Sequence, residues 1–515
     1  MSSWTEGYVT DVPYVPGYYS DQSLEFIRFG QLLAGVRPSG LGPDVAYCEL
    51  GFGLGVTLSV LAGVHPEVQF WGTDFSSSQL MSAADLGGDL LPNLTLADAS
   101  FEEFAHRDTP RFDFISLHGI WSWVSPENQG VIVRMLRDKL KPGGAVYISY
   151  NAMPGWSFLG PLRALLFQHG EFIGAPGQSA TSRARDGLAF VAELEKNQVP
   201  LITGNTALST RLAQVRQGPL EYVAHEYLNR HHVPKYFSEV EAALADARLS
   251  YVGTGRVLNT LDGINLSQAA QQHLGTIKNP TFREVIRDFY TTATFRQDIF
   301  ARGVLRLSAD ERRERLDAVR LFLATPTPNV PMKITGALGE VTMHEAVYGP
   351  VLEKLWAAGS DGLALGEVRS TGQLKSLPAD AALEATCMLI AQSVVFPVVD
   401  PRANPNPEIA KSLAMRMLER CERTGQPQCM PSPVTRNGHA VDRVHASFIL
   451  GYQDGLRDKQ GLSRRAWKAL EKAGQRVMKD GKPLGTEQEN LADLESKAST
   501  FLVDGRPSLE RLGLL

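Results

Sequence analysis

The stretch Val45 to Gly55, Val-Ala-Tyr-Cys-Glu-Leu-Gly-Phe-Gly-Leu-Gly, constrains the chain more than any other. An apolar run ends in an acid and then alternates glycines, which predicts a buried parallel strand turning sharply into a helix. Val56, Leu58, Val60, Leu61 and Ala62 continue as the apolar helix packed back on that strand. Without side chains, Gly51, Gly53 and Gly55 let the backbone lie flush against a ligand. A dinucleotide fingerprint would need its third glycine at Val56, and no Gly-Lys-Ser/Thr triplet makes a phosphate-binding Walker loop. Glu49, two residues before the first glycine, repels a pyrophosphate and suits a ligand carrying positive charge. The competing reading at this point is a tight turn that binds nothing.

S-adenosylmethionine (SAM) carries an ammonium and a sulfonium and no phosphate, and Glu49-Leu-Gly-Phe-Gly-Leu-Gly55 resembles the first motif of the class I SAM-dependent methyltransferases. Val68 to Asp74 predicts a second strand ending in an acid. A doubly wound sheet brings Asp74 beside the glycine loop, where its carboxylate can accept from both ribose hydroxyls or cap the next helix. Leu94 to Asp98 is a third strand with an acid at its exit; the resemblance implies that Asp98 accepts from the adenine amine and that the Ala99 amide reaches a ring nitrogen. Phe112 to Leu117 is the fourth strand, followed by His118-Gly-Ile-Trp-Ser-Trp-Val124. No Asp/Asn-Pro-Pro-Tyr or Pro-Cys stands there, which argues against the amine-receiving pattern of DNA-adenine and glutamine enzymes and against the cytosine-C5 pattern. His118 is read as a cofactor contact or general base, its ordinary pKa being near neutrality, or as a loop histidine satisfied by backbone carbonyls. Lys141-Pro-Gly-Gly144 then reverses the chain into a fifth strand, Ala145 to Tyr150.

The expected cofactor contacts are therefore Glu49, Gly51, Gly53, Gly55, Asp74, Asp98, Ala99 and His118. For the acceptor side, the N-terminal tyrosines are either an arm packed on the surface or a lid whose phenols orient the nucleophile, which makes Tyr14 and Tyr18 candidates. Trp121 and Trp123 are core or channel wall, and Asn151-Ala-Met-Pro-Gly-Trp156 sits where the target arrives. The catalytic candidates are His118, Tyr14, Tyr18, Trp121 and Asn151. Cys48, Cys387, Cys421 and Cys429 lack Cys-x-x-Cys spacing, so neither a metal site nor a disulfide framework is expected.

Asn151 to Trp156, Tyr8 to Tyr14, Ala224-His-Glu-Tyr-Leu-Asn229 and Arg296-Gln-Asp-Ile-Phe300 together resemble a bacterial methyltransferase family with a so-called regulatory domain. That family includes the rickettsial protein lysine methyltransferases, and the resemblance implies methyl transfer to protein lysine. A small-molecule O- or N-methyltransferase and a noncatalytic SAM-binding interaction protein stay open as alternatives. Within the helix around His225, Glu226, Tyr227 and Asn229, the choice is between target-facing residues and a capped interface.

The expected fold is α/β: a seven-stranded Rossmann-like methyltransferase sheet with a mostly helical C-terminal region. A length of 515 residues predicts roughly three domains at about 150 residues each. The expected divisions are a SAM-binding core over 1–160, a helical insertion and regulatory segment over 161–305, a helical and winged-helix-like module over 306–400, and C-terminal helices over 401–515. Residues 236–260 are expected to complete the sheet, with Leu249 to Gly253 as sixth strand. Residues 281–325 read as helical and charged, with Arg283, Arg287, Arg296, Arg302 and Arg306 on a solvated face. In the winged-helix-like module the third helix, Ala379 to Gln392, has no arginine or lysine, so it is expected to contact protein and not DNA. A net charge of -5 gives no general pull toward nucleic acid, and none is expected as a partner. The first thirty residues do not resemble a secretory signal, and the uncharged run Pro142 to Leu162 is broken by glycine, asparagine and proline. A cytoplasmic enzyme acting on protein is expected, with no membrane insertion; a homodimer is compatible with the sequence.

Overall fold

The computed structural model describes all residues except 1–6, 13–15, 43, 400–405, 427 and 480. A buried helix, α1 (Leu24–Leu33), precedes an alternation of β1 (Ala46–Leu50), α2 (Val56–Val64), β2 (Gln69–Asp74), α3 (Ser77–Gly87), β3 (Leu94–Asp98), α4 (Phe101–Ala105), β4 (Phe112–Leu117), α5 (Pro126–Lys139) and β5 (Leu140–Asn151). In β1 the two-residue period divides the apolar side chains between the faces. Ala46, Cys48 and Leu50 pack into one core with Ile115 and Leu136, while Tyr47 joins Leu58 and Phe70 in another. Both faces are thus covered, which is why the strand reads as a continuous apolar run.

Beyond β5 the chain forms α6 (Gly160–Phe172), α7 (Ala180–Lys196), α8 (Pro200–Thr203), α9 (Thr206–Gln217), α10 (Leu220–Tyr227) and α11 (Phe237–Ala245) before β6 (Leu249–Thr254). Helices α6 to α10 share a core of their own, in which Leu166, Val191, Leu212 and Tyr227 meet Val12 and Trp156. Then α12 (Asp262–Asn265), α13 (Gln268–Thr276) and α14 (Pro280–Thr291) lead to β7 (Phe295–Arg302). The seven strands are ordered β3-β2-β1-β4-β5-β7-β6, with β1 to β5 parallel and β7 antiparallel to both neighbours. The direction of strand order reverses between β1 and β4, the position where open α/β sheets leave a crevice at the strands' carboxyl ends.

The expectation of a helical, solvated segment over 281–325 fails at β7. Arg296 is 6% exposed and donates to Asp288 (2.7 Å), Glu284 (3.0 Å) and both oxygens of Asp298 (2.9 and 3.0 Å). Arg302 likewise donates to the carbonyls of Arg137 and Leu140 (2.6 and 2.8 Å). Charged side chains placed inside a strand hide its alternation, and tertiary partners supply the compensation that makes their burial tolerable.

The rest of the chain forms α15 (Ala309–Ala318), β8 (Arg320–Leu323), the hairpin β9 (Lys333–Gly336) and β10 (Gly339–Thr342), α16 (Glu345–Ala358), β11 (Leu363–Ala364), α17 (Leu365–Arg369), α18 (Ala379–Ala391) and β12 (Val395–Val398). Strand β12 pairs with β8, which precedes these helices, and not with a following wing. The stretch Asp400-Pro-Arg-Ala-Asn-Pro-Asn-Pro407 reads as a linker by composition and lies almost entirely outside the described residues. Helix α19 (Pro407–Thr424) and the hairpin β13 (Gln428–Ser432) and β14 (Asn437–Val441) pack against α2: Leu413, Met417 and Cys429 enter the same core as Leu61. Arg416 pairs with Asp89 and Arg420 with Asp85 across that seam. Further helices, including Arg443–Gln453, Lys459–Lys472 and Glu487–Thr500, close the C-terminal region around Leu462, Trp467 and Leu494. The final fifth of the molecule thus buttresses the α2 layer through α19 and the β13–β14 hairpin. Among the described residues no helix is long and apolar enough to cross a membrane.

Candidate active site

A single cavity of about 1160 Å³ runs from the glycine loop, past the exits of β2, β4 and β5, to the roof made by α9 and α10. At its floor, Gly51 follows β1 with φ +71°, and its amide donates to the Thr73 carbonyl at 2.8 Å. Gly53 lines the cavity at φ +57°, and a Cβ there would meet no atom within 4 Å, so any side chain would project into the open space. The Gly53 amide donates to Asp74 Oδ2 and the Ser76 amide to Asp74 Oδ1, both at 3.0 Å. Asp74 thus ties the loop to the end of β2. Burial pushes its carboxyl up to about 6, Asp98 adds to this, and the amide donors hold it back.

Glu49 is 4% exposed, and its Oε2 has no hydrogen-bond partner. Burial, with Asp74 second, pushes this carboxyl up to about 8. A buried acid with an orphaned oxygen beside an open glycine loop fits the positively charged groups of SAM and would be ionised by them. When bound, SAM supplies a methyl group to a nucleophile; Glu49, Gly51, Gly53 and Asp74 are the residues that would hold it.

Other expected cofactor residues lie elsewhere. Gly55 is the N-cap of α2 and does not line the cavity; a Cβ there would come within 2.4 Å of Ala83 Cβ, so its bare backbone serves the contact with α3. Asp98 is exposed and does not line the cavity, although it pairs with Asp74 across the sheet; it accepts from Ser77 Oγ at 2.7 Å. Ala99 does line the cavity, but its amide is already donated to the Asp74 carbonyl at 3.1 Å and cannot also serve a ring nitrogen. Ser100, Phe101 and Glu102 continue that rim.

His118 lines the cavity with the Tyr19 ring stacked 3.8 Å away and Tyr147 Oη 3.1 Å from Nδ1. Gln297 donates to Tyr147 Oη at 2.9 Å, which leaves the phenol proton for Nδ1 and places the imidazole proton on Nε2. Burial pushes the ring down to about 3, so it stays neutral and is a poor proton acceptor near pH 7. Trp121 is 1% exposed, packed among Ile132 and Met135 beneath α5, and absent from the cavity wall, where Trp123 stands. Tyr18 also leaves the cavity: its hydroxyl donates to Asn437 Oδ1 at 2.5 Å, joining the N-terminal segment to β14. Tyr14 lies outside the described residues.

Asn151 lines the cavity at the end of β5 and donates from Nδ2 to His232 Nε2 at 2.7 Å. Opposite, α10 presents Tyr222, His225 and Glu226 from the segment before Asn229. This helix combines the two readings of its sequence. His225 donates to the Val12 carbonyl (2.9 Å) and Asn229 Oδ1 accepts from the Val9 amide (2.8 Å), which clips the N-terminal arm to the roof. Tyr222 and Glu226, one turn apart, face the cavity. Tyr8 packs its ring against Phe75 and His225, so the arm forms part of the wall. Tyr19, Tyr222 and Arg211 were absent from the expected site, whereas Glu226 was among the residues left open as target-facing; the Tyr222/Glu226 spacing was a local signal for a shared face.

Residues 48–144 match the family model described as a methyltransferase domain, and residues 219–302 match a predicted methyltransferase regulatory domain. The latter range contains α10, β6 and β7, so that domain completes the sheet and provides the α10 part of the roof, while α9 precedes it. An uncharacterized protein of Synechocystis sp. is 34% identical over 514 residues, covering 99% of this chain and all of the relative. A Rickettsia prowazekii protein is 22% identical over 478 residues, covering 87% of this chain and 83% of its own. The structure of PKMT2 from Rickettsia typhi in complex with AdoHcy has 19% identity and a TM-score of 0.68, covering 98% of this chain and 99% of that one, and shares the fold. With the methyltransferase motifs, the seven-stranded sheet and an end-to-end relative in place, the chain belongs to the class I SAM-dependent methyltransferases that carry a methyltransferase regulatory domain.

Proposed function

We propose that the enzyme transfers the SAM methyl group to lysine side chains of protein targets. In this reading Glu49, Gly51, Gly53 and Asp74 hold the cofactor, and the rim from Ala99 to Phe101 receives its adenine end. The observation that carries the acceptor assignment is the continuity of the cavity from that floor to a roof walled by Tyr8, Tyr19, Trp123, Trp156 and Tyr222, with the Glu226 carboxyl among them. An amine must be neutral to attack, and an aromatic, partly dehydrated channel favours the neutral amine over the ammonium. The rings also attract whatever cationic form arrives. The resemblance to rickettsial protein lysine methyltransferases and the likeness to a protein named PKMT2 support the same acceptor.

The test is transfer of labelled methyl from SAM into a host-cell lysate, with Gly53→Arg as the blocked control. Protein-bound label recovered as methyl-lysine is expected, and absent in the control. Label confined to the small-molecule fraction would overturn the assignment and indicate a metabolite enzyme.

A further inference from the structure

We propose that the roof of the cavity is an ammonium subsite in which Glu226 receives the acceptor's charged nitrogen and takes its proton. This rests on the lysine reading of the same cavity. Four acids, Glu49, Asp74, Glu102 and Glu226, line the space against one guanidinium, Arg211, so the cavity as a whole selects for cations. Glu49 and Asp74 belong to the glycine-loop end and Glu102 to the rim beyond β3, which leaves Glu226 as the carboxyl of the aromatic end.

The surroundings of Glu226 suit that task. From α9, Arg211 donates to Tyr222 Oη (3.1 Å) and Gln214 Oε1 (3.4 Å), and among the described residues Glu226 forms no ion pair within 4.0 Å. From α10 itself Tyr222, His225 and Tyr227 are its titratable neighbours, and from the N-terminal segment the Tyr8 and Tyr19 phenols act on it. From β5, Asn151 is a positioning residue: its amide donates to His232 at 2.7 Å and lies near enough to Glu226 to hold that carboxyl back. His232 is held neutral, pushed down to about 3 by burial with Arg163 adding, so it accepts from Asn151 and brings no competing charge. Burial pushes the Glu226 carboxyl up to about 7, with Arg211 and Asn151 pulling it back. A carboxyl with that affinity accepts a proton near neutrality, unlike His118.

The step balances. One N–H proton passes from the acceptor ammonium to a Glu226 carboxylate oxygen, and the electron pair of that N–H bond becomes the lone pair that forms the N–CH3 bond. The pair of the broken CH3–S bond stays on sulfur, and Glu226 returns its proton to solvent.

The test uses n-butylammonium as a probe of the lysine side chain, with n-butanol as neutral control, on the full chain saturated with S-adenosylhomocysteine. Glu226→Gln is expected to weaken butylammonium binding by roughly tenfold or more at pH 8, leaving butanol binding and S-adenosylhomocysteine affinity unchanged. Retained nucleoside affinity reports an intact fold. A second measurement needs no variant: at a pH below about 7, butylammonium binding to the wild-type protein should release a proton, read by calorimetry in buffers of different ionisation enthalpy. Equal butylammonium binding by wild type and Glu226→Gln, or no proton release, would overturn the subsite. If Glu226 governs butylammonium binding but no methyl-lysine forms in lysate, the subsite stands and the protein-lysine reading falls. If methyl-lysine forms and Glu226→Gln changes neither binding nor the pH profile of transfer, the subsite alone falls.

Discussion

Replacing Asp74 by alanine separates a cofactor carboxylate from a loop fastener. The side chain accepts from the Gly53 and Ser76 amides at 3.0 Å each, and in the proposed complex it would also accept from the ribose hydroxyls. Hydrogen bonds to a charged acceptor contribute about 1.5–3 kcal/mol, so loss of the ribose contact alone predicts SAM binding weaker by roughly tenfold to a hundredfold. The loop contributions add to folding stability as well, and would appear as a lower urea midpoint in ligand-free protein. Isothermal calorimetry of folded wild type and Asp74→Ala reads the first quantity. Wild-type affinity should also fall as pH drops below about 6, where the ligand-free carboxyl takes up a proton and the charged acceptor is lost. Unchanged SAM affinity in a folded Asp74→Ala protein would refute the ribose assignment and leave the residue only its loop and cap roles.

Glu49 is raised from 4.5 to about 8 in the folded ligand-free protein, so its contribution to stability is full below pH 4.5 and lost as pH rises toward 8. Glu49→Gln should therefore melt above wild type near pH 8 in ligand-free protein, with the difference vanishing by about pH 4.5, while SAM affinity falls; thermal scans across pH check this. Gly55→Ala combines φ +71° with a 2.4 Å approach to Ala83 and should cost about 1–3 kcal/mol of stability in a denaturant melt, without the selective loss of SAM binding expected of Gly53→Arg. Arg296→Met leaves Asp288, Asp298 and Glu284 without their shared cation and should cost roughly 3–5 kcal/mol, read as a large fall in urea midpoint. Tyr18→Phe removes only the bond to Asn437 and should cost about 0.5–1.5 kcal/mol of stability, with methyl transfer unchanged in a lysate assay.

The floor of the site was legible because its chemistry is written locally. Strand, acid and alternating glycines follow within eleven residues of Val45, and the parallel sheet then fixes where Asp74 must lie relative to Gly53. Failures began one residue beyond each local pattern. Asp98 ends its strand as Asp74 does, yet the two paired residues differ in burial, one half of the pair holding the glycine loop and the other facing solvent. Gly55 shares the glycine spacing but is used for helix packing, a distinction set by Ala83 on the next helix. For β7, the charges that suggested a solvated helix are those buried as a network, and only the tertiary arrangement of α14, β5 and β6 reveals their partners.

The acceptor half was harder to read for a different reason: it is assembled from positions as far apart as Tyr8, Asn151, Arg211 and Glu226, and only short windows such as Asn151 to Trp156 and Tyr222 to Glu226 hold two of its elements together. The clip between the arm and α10 explains how such a dispersed site stays together. Val9 and Val12 hang from Asn229 and His225, so the same helix that presents Glu226 also holds Tyr8 against the cavity. Since that helix falls within the matched regulatory range and β6 and β7 extend the catalytic sheet, the regulatory region is physically a part of the cavity that it would control. A movement of α10 would shift the aromatic wall and the Glu226 carboxyl together while leaving Glu49 and Asp74 in place, because those two are fixed by β1 and β2.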